Sequence, residues 1–250
     1  MSKPYLSVIV PCYEEAENLP RTFPIFEKFV HSQKYSVELV FVNDGSPDKT
    51  GEILKKLASG KDFVRIIDYK PNRGKGFAVR KGMLEASGEI RLFADTDNAT
   101  PIEQVNKLLE KMDSAQVAIG SRYIEKGHLK VKQPFYRVIG SRFLNFFFRI
   151  MIGLRIKDTQ CGFKLFSAKA AEAVFSRQTF ARFSFDVEII AIAHSLGYKV
   201  KEVGVDWYAQ GKGTVHPLRD GLRFLRALRI VRWALWRGVY KEPSGKFLEV

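Results

Sequence analysis

Short apolar runs alternate with amphipathic stretches along the first 121 residues of the chain. The apolar runs are rich in β-branched and aromatic residues, which is typical of buried strands, and the amphipathic stretches place apolar residues at helical spacing. The predicted strands are 6–11, 37–44, 64–69, 89–95 and 116–121, and the predicted helices are 14–30, 46–58, 75–86 and 100–112. This alternation predicts an α/β fold with a mostly parallel sheet and helices on both faces.

Polar or glycine-rich segments follow each of the five predicted strands. They are residues 11–15, 43–46, 72–76, 95–97 and 120–122. In open parallel sheets, ligands bind beyond the carboxyl ends of the strands, so these segments predict a ligand site at one edge. The first strand–helix turn, VPCYEEAEN, has no glycine. It therefore lacks the G-x-G-x-x-G fingerprint of a dinucleotide fold, and the chain has no Walker phosphate loop.

These segments together resemble the family 2 glycosyltransferases of the GT-A (Rossmann-like) fold. The matching motifs are SVIVPCYEEAENL, VNDGS, NRGKGFAVRKGM and the D-x-D of DTDNAT, followed by DTQCGFKLF, FDVEI and VDWYAQGKG. Within the family they are most similar to the polyprenyl-phosphate glycosyltransferases, above all the dolichyl-phosphate β-glucosyltransferases, with the dolichyl-phosphate mannose synthases as relatives. The resemblance covers roughly residues 5–240.

The resemblance implies a metal-assisted transfer from a nucleotide sugar. Two carboxylates one residue apart, Asp95 and Asp97, suit Mg²⁺ or Mn²⁺, which would neutralise the departing diphosphate. Asp97 is the firmer metal ligand and a catalytic residue by resemblance, and Asp95 is expected near the metal and the ribose. The other residues expected at the donor are Pro11, Tyr13, Glu15, Asp44, Gly45, Arg73, Gly74, Lys75, Asp158, Gln160 and Lys212. Asp44 is expected at the base, although it could instead form an Asx turn with Gly45 and Ser46.

The acceptor implied by the resemblance is a polyprenyl phosphate. The second pKa of a phosphate monoester is about 6, so it is already a nucleophile at neutral pH and needs cations to position it rather than a base. The residues expected on the lipid phosphate are Arg122, Arg137, Ser141 and Arg142, and Arg122 is also expected to be catalytic.

A hydroxyl acceptor on a glycan or glycolipid is an alternative, and it would require a general base. Asp186 and Glu188 are the late candidates for that base. Both acids could instead begin a helix, where negative charge is favourable. UDP-glucose is the favoured donor by resemblance, with GDP-mannose as an alternative.

The formal net charge of +14 is concentrated in two segments. Residues 122–157 contain nine Lys or Arg and one acid, net +8, and residues 211–241 contain eight and one, net +7; their sum of +15 leaves the remainder at −1. Both segments interleave aromatic and aliphatic residues with arginines, as in helices that lie in a membrane interface. Ordinary amphipathic helices covering the sheet are the alternative.

We therefore predict a glycosyltransferase domain over residues 1–210, which includes an interfacial helix at 135–156, and a basic membrane-associating segment over 211–250. No 18-residue apolar window or secretory signal is present, and Cys12 and Cys161 are expected as reduced thiols. The expected location is the cytoplasmic face of a membrane, with a possible anchoring protein as partner. The basic charge alone would also fit a non-catalytic module that binds membranes or nucleic acid, but no nucleic-acid recognition motif is present.

Overall fold

The computed structural model describes residues 3–124, 147–208, 217–244 and 247. Its sheet has seven strands in the order β3-β2-β1-β4-β6-β5-β7. The strands are β1 (Leu6–Cys12), β2 (Val37–Asp44), β3 (Val64–Tyr69), β4 (Ile90–Ala94), β5 (Val117–Ser121), β6 (Phe163–Ser167) and β7 (Val200–Gly204). All neighbouring pairs are parallel except the two that involve β6, which runs antiparallel to β4 and β5.

Helices cover both faces of the sheet. They are α1 (Leu19–Ser32), α2 (Thr50–Ala58), α3 (Lys75–Glu85), α4 (Val105–Leu109), α5 (147–152), α6 (Ala168–Phe175), α7 (Phe185–Ser195) and α8 (Pro217–Trp236). Successive residues of a strand point to opposite faces. Accordingly Val40 and Val42 of β2 lie in a cluster with α3, α6, α7 and α8, whereas Leu39 and Phe41 lie in a second cluster with α1 and α4. The predicted α/β class with a mostly parallel sheet is confirmed.

The predicted elements differ from the structure mainly at helix starts and after residue 121. The strands 37–44 and 64–69 have the predicted bounds, but α1 begins at Leu19 rather than at 14. The backbone N–H groups of residues 14–16 donate hydrogen bonds to the side chains of Ser46, Asp48 and Thr50. These residues therefore form a loop and not the first turn of the helix. The hydrophobic pattern does not predict β6 or β7. The run of β6 is only five residues long and contains a lysine, and that of β7, VKEVG, contains two charged residues.

The described parts of the two basic segments pack against the core through one face. In α8, Phe224, Ala227, Leu228, Val231 and Ala234 are buried in the cluster that contains α7. In α5, Phe148 and Ile152 are buried in the same cluster. Four arginines of α8 lie on the opposite, exposed side, at positions 223, 226, 229 and 232. None of the described helices is both long enough and apolar enough to cross a bilayer.

Candidate active site

The carboxyl ends of the parallel strands gather most of the predicted site residues at one edge of the sheet. The reversed direction of β6 adds a segment that precedes a strand, because residues 158–162 reach this edge before β6 begins. Asp158 and Gly162 therefore lie on the same edge as the loops after β1, β2, β4 and β5. This topology assembles the site from stretches that are far apart in sequence.

The loop after β1 is held in place by side chains of the loop after β2. The backbone N–H of Glu14 donates to Ser46 Oγ at 3.1 Å, that of Glu15 donates to Thr50 Oγ1 at 2.8 Å, and that of Ala16 donates to an oxygen of Asp48 at 3.3 Å. Glu14 has a positive φ of 55°, which is uncommon for a residue with a side chain. These contacts fix the backbone that presents the Glu15 carboxylate to the site.

Asp44 anchors the loop after β3. Its carboxylate accepts hydrogen bonds from the backbone N–H groups of Arg73 at 2.7 Å and Gly74 at 2.8 Å, and from the side chain of Asn72 at 2.9 Å. Asp44 is only 2% exposed, so its visible role is to position the 72–74 loop. The side chain that bonds Ser46 is Asn43 rather than Asp44: Asn43 Oδ1 accepts from the Ser46 hydroxyl at 2.6 Å and from its backbone N–H at 3.4 Å. Contact of Asp44 with a donor base stays a prediction.

Glycines allow the start of α3 to lie against the segment that precedes α7. A Cβ added at Gly74 would be 2.7 Å from the Ala181 carbonyl oxygen, and one at Gly76 would be 2.5 Å from that of Phe180. Gly45 is equally constrained, since its φ is +64° and an added Cβ would be 2.5 Å from the Asn72 nitrogen. Side chains at these positions would displace backbone, which explains glycine in the VNDGS and NRGKG motifs.

The two aspartates of the D-x-D lie in an acidic cluster that also contains one lysine. Asp95 Oδ1 accepts from Lys75 Nζ at 2.6 Å, and Asp97 accepts from the backbone N–H of Ala99 at 3.0 Å. Burial and the neighbouring Asp95 raise the pKa of Asp97, and burial together with Asp97 and Asp95 raises that of Glu15. Three carboxylates lie beside a single lysine here, and this excess of negative charge makes the site favourable for a cation. Gly162 makes room for this cluster, because a Cβ there would overlap the Asp95 carboxylate.

These residues fit a divalent cation only as part of its coordination sphere. No group of three His, Cys, Asp or Glu side chains converges as a metal site within the described ranges. Mg²⁺ and Mn²⁺ accept such partial protein coordination, since they commonly bind through one or two carboxylates plus substrate phosphates and water. The donor set of Asp95 and Asp97 therefore fits a metal that arrives together with a diphosphate.

Arg122 and Asp158 form a buried bidentate ion pair. Arg122 Nε and Nη2 donate to the two Asp158 oxygens at 2.7 and 2.8 Å, and the backbone N–H of Arg122 adds a third bond at 3.0 Å. Burial alone would raise the pKa of Asp158, but the charge and hydrogen bonds of Arg122 hold it below its ordinary value. Asp158 is 1% exposed, and its carboxylate also accepts from the backbone N–H of Gln160 at 3.3 Å. Arg122 Nη1 takes no part in the hydrogen bonds to Asp158.

Asp186 and Glu188 have different partners although both lie in the first turn of α7. Asp186 forms an ion pair with Lys164, whose side chain is fully buried and also donates to the Cys161 carbonyl oxygen at 2.5 Å. Glu188 is fully buried and accepts from the backbone N–H groups of Thr179 and Phe180, the Thr179 hydroxyl and the Tyr240 hydroxyl. Burial raises its pKa.

The remaining predicted residues divide into exposed, buried and undescribed groups. Tyr13 is 44% exposed, Gln160 is exposed, and the Pro11 carbonyl oxygen accepts from Thr96 at 2.6 Å. Arg73 is exposed and its guanidinium lies 3.9 Å from the Phe77 ring centroid. Lys212, Arg137, Ser141 and Arg142 lie outside the described residues. Cys12 and Cys161 are free and buried, and burial raises the pKa of each to about 12.

Sequence reasoning missed Lys164, Gly162 and Glu202. Glu202 on β7 accepts from the backbone N–H groups of Lys157 and Asp158, and so orients the segment that carries Asp158. The available signal for Lys164 was a single lysine in the apolar run FKLF, since a lysine is buried only when it is paired. Nothing in the local sequence distinguishes Glu202 from a solvated acid.

A comparison with protein families decides the classification. The chain matches Glycosyl transferase family 2 over residues 7–175, which is more than half of its length. The chain belongs to glycosyl transferase family 2. This confirms the resemblance found in the motifs, and it makes the protein a glycosyltransferase.

Curated relatives of this family 2 protein share one name. It is 32% identical to a dolichyl-phosphate beta-glucosyltransferase of Dictyostelium discoideum, in a match covering 96% of this chain and 77% of the relative. It is 36% identical to one of Drosophila melanogaster, covering 90% and 74%. A Trichomonas vaginalis relative of the same activity, 34% identical, is covered over 81% of this chain and 65% of its own length. The protein therefore spans about two thirds to three quarters of these relatives.

Solved structures share the fold of this family 2 protein at low sequence identity. The glucosyl-3-phosphoglycerate synthase of Mycobacterium tuberculosis, in a complex with Mn²⁺, UDP-glucose and phosphoglyceric acid, has a TM-score of 0.63 at 19% identity and covers 97% of this chain and 82% of its own. TarS of S. aureus, residues 1–349 with UDP-GlcNAc, has a TM-score of 0.59 at 19% identity and covers 90% and 66%. These likenesses support the GT-A fold alone.

Proposed function

We propose that this protein transfers glucose from UDP-glucose to the phosphate of a polyprenyl lipid of the dolichyl type, with inversion at the anomeric carbon and without a general base. Membership of family 2 and the shared name of the curated relatives support the reaction class. The sugar and the nucleotide are the finer parts of the proposal, and they rest on those relatives.

The observation that carries the choice of acceptor is the state of the two late carboxylates. A hydroxyl acceptor needs a base that can reach it and accept its proton. Asp186 is engaged in an ion pair with the buried Lys164, so its carboxylate is already occupied by a protein cation. Glu188 is fully buried behind four hydrogen bonds. A phosphate monoester needs neither residue, because it reacts as a dianion.

At the donor end, the residues proposed to act on the diphosphate are Asp95, Asp97, Lys75 and Arg73. A divalent ion held by the two aspartates would supply Lewis-acid stabilisation of the leaving UDP. The chain itself contributes the ammonium of Lys75 in the acidic cluster and the guanidinium of Arg73 at the start of α3. Positive charge concentrated there stabilises the negative charge that develops on the departing diphosphate.

At the acceptor end, Arg122 is proposed to hold the lipid phosphate in line with the sugar. Asp158 fixes its guanidinium in one orientation through two hydrogen bonds, and Trp207 and Tyr123 lie beside it, each with a ring centroid 5.6 Å from Arg122 Cζ. Nη1 then binds a phosphate oxygen without losing the Asp158 contacts. Arg137, Ser141 and Arg142 are proposed as further ligands of the same phosphate.

The exposed side of α8 is proposed to contact the cytoplasmic surface of a membrane. Leu222, Trp233 and Trp236 are 68%, 52% and 75% exposed, and they share this side with four arginines. Tryptophan and arginine are favoured at the headgroup level, where the indole is partly buried in lipid and arginine contacts lipid phosphates. The inner side of the same helix is occupied by the core, so one face remains for lipid.

A matched pair of acceptors tests the proposal directly. The purified protein is incubated with labelled UDP-glucose and Mn²⁺, and with either a polyprenyl phosphate or the same polyprenol without phosphate. We expect label in the lipid fraction with the polyprenyl phosphate and not with the polyprenol. We also expect that label to be lost when EDTA is added. GDP-mannose as donor tests the sugar assignment. Transfer to the polyprenol, or equal transfer from both donors, would contradict the proposal.

A further inference from the structure

Lys75 places the protein's own cation on one of the two D-x-D carboxylates. Its Nζ is 2.6 Å from Asp95 Oδ1, with 32% of the Lys75 side chain and 37% of the Asp95 side chain exposed. Asp186 and Asp97 are further acids whose negative charge acts on this ammonium. The lysine thus lies in the cluster where a divalent cation would bind.

The backbone fixes where this lysine begins. Lys75 is the first residue of α3, between Gly74 and Gly76, which both lie against backbone of residues 180–182. The N–H of Phe77 donates to the Ala181 carbonyl oxygen at 2.8 Å, and Gln178 Nε2 donates to the Gly76 carbonyl oxygen at 2.9 Å. The start of the helix cannot shift without breaking these contacts. Only the flexible side chain of Lys75 can move.

Within the described residues, the other acids around Lys75 are already engaged or are needed by the metal. Glu15 accepts from the Asn18 side chain at 2.6 Å. Asp186, whose negative charge also acts on Lys75, is already paired with the buried Lys164. Asp97 is the other ligand expected for the metal. An incoming diphosphate would be the anion that Lys75 can bind once a metal takes Asp95.

We infer that Lys75 occupies Asp95 as a resident cation and moves to the donor diphosphate when metal and nucleotide bind, so that Lys75 couples the two binding events. This inference rests on the proposed metal-assisted use of a nucleotide sugar. Metal alone must displace the ammonium without giving it a new partner. Metal with UDP supplies that partner, so each ligand strengthens the binding of the other by the same factor.

The coupling is measured by titrating Mn²⁺ into the full chain and determining the concentration of free Mn²⁺ by electron paramagnetic resonance. Titrations without UDP and with saturating UDP give two dissociation constants, whose ratio is the coupling. We expect the ratio to exceed one even without Lys75, because UDP oxygens would also ligate the metal. In Lys75→Met we expect tighter Mn²⁺ binding without UDP and a ratio about fivefold smaller than in the unaltered protein, the scale of one partly exposed ion pair.

Two variants control for general charge and for folding. Lys81→Met removes a lysine of the same helix, whose Nζ is also 2.6 Å from a carboxylate, Glu85, with exposed fractions of 35% and 34%. We expect its ratio to equal that of the unaltered protein. Lys75→Arg keeps a charged donor at the site and should retain the ratio to within about twofold. Thermal unfolding of each variant confirms that it is folded.

The outcomes separate the inference from the proposed function. If Lys75→Met tightens Mn²⁺ binding equally with and without UDP, its ratio is unchanged; Lys75 then acts only through its charge, and the inference is overturned. The inference is also overturned if Lys81→Met shifts the ratio as much as Lys75→Met. If the unaltered protein binds no Mn²⁺ even with UDP, the proposed metal-assisted function fails as well.

Discussion

This protein contains two groups of acids that differ in how well their oxygens are satisfied. One is the fully buried Glu188, and the other is the partly exposed cluster of Asp95, Asp97 and Glu15. Glu188 accepts four hydrogen bonds from Thr179, Phe180 and Tyr240. The Asp95, Asp97 and Glu15 cluster has one lysine and few donors for three carboxylates. A buried acid whose oxygens are all paired stabilises the fold, whereas acids left short of donors form a site for a cation.

The largest expected effect comes from Asp97→Asn, which keeps the shape and removes the charge. We expect glucosyl transfer to fall on the order of a thousandfold, equal to about 4 kcal/mol of transition-state stabilisation. The melting temperature should hold or rise, because a partly buried charge and its repulsion from Asp95 are removed. Labelled transfer and thermal unfolding measure the two quantities.

The matched control for Asp97→Asn is Asp113→Asn, the same change at an exposed position after α4. It should leave transfer unaltered. Retained activity in Asp97→Asn, or a loss of stability as large as the loss of activity, would remove the distinction between the two groups of acids.

Asp158→Asn is expected to have the next largest effect, on stability. It leaves the Arg122 guanidinium, whose side chain is 17% exposed, without its paired charge. Breaking a buried pair from one side costs about 3 kcal/mol. Urea unfolding measures it, with Glu85→Gln as control. The partners of Glu85, Arg65 and Lys81, are 45% and 35% exposed, so the loss of its charge should cost less than about 1 kcal/mol.

Glu188→Gln is expected to lower the free energy of unfolding by about 2 kcal/mol, since an amide cannot accept from all four donors. Tyr240→Phe removes one of those donors and should cost about 1 kcal/mol. Both variants should keep Mn²⁺–UDP affinity, measured as described for Lys75. A variant that remained fully stable but lost UDP binding would move Glu188 into the site.

The smallest effect is a dependence on pH. Because the pKa of Glu188 is raised in the folded state, the folded protein holds this proton more tightly than the unfolded chain does. Its contribution to stability is therefore complete below the ordinary value of 4.5 and is lost as pH rises through the folded pKa. The stability difference between the unaltered protein and Glu188→Gln should shrink over that window, as followed by urea unfolding at several pH values. A constant difference would contradict the raised pKa.

The sequence predicted the alternating part of the fold and the D-x-D edge, because hydrophobic period and strand-end chemistry are local properties. It could not predict that Glu188 and Asp186 have opposite surroundings, since both read as acids in a first helical turn. Their partners, Tyr240 and Lys164, are 52 and 22 residues away in sequence. Only the tertiary fold decides which carboxylate has all its oxygens hydrogen-bonded. Asp44 is a second example, because its hydrogen-bond donors lie 28 to 30 residues further along the chain.

The reversed strand β6 has a practical consequence for handling the protein. The chain leaves β6 at Ser167 on the edge of the sheet away from the ligand loops and turns at once into α6, where Lys169 is exposed. A dye or spin label attached at position 169 would sit on the far side of the molecule from the acids. It would report tumbling and surface attachment of the whole particle without disturbing catalysis.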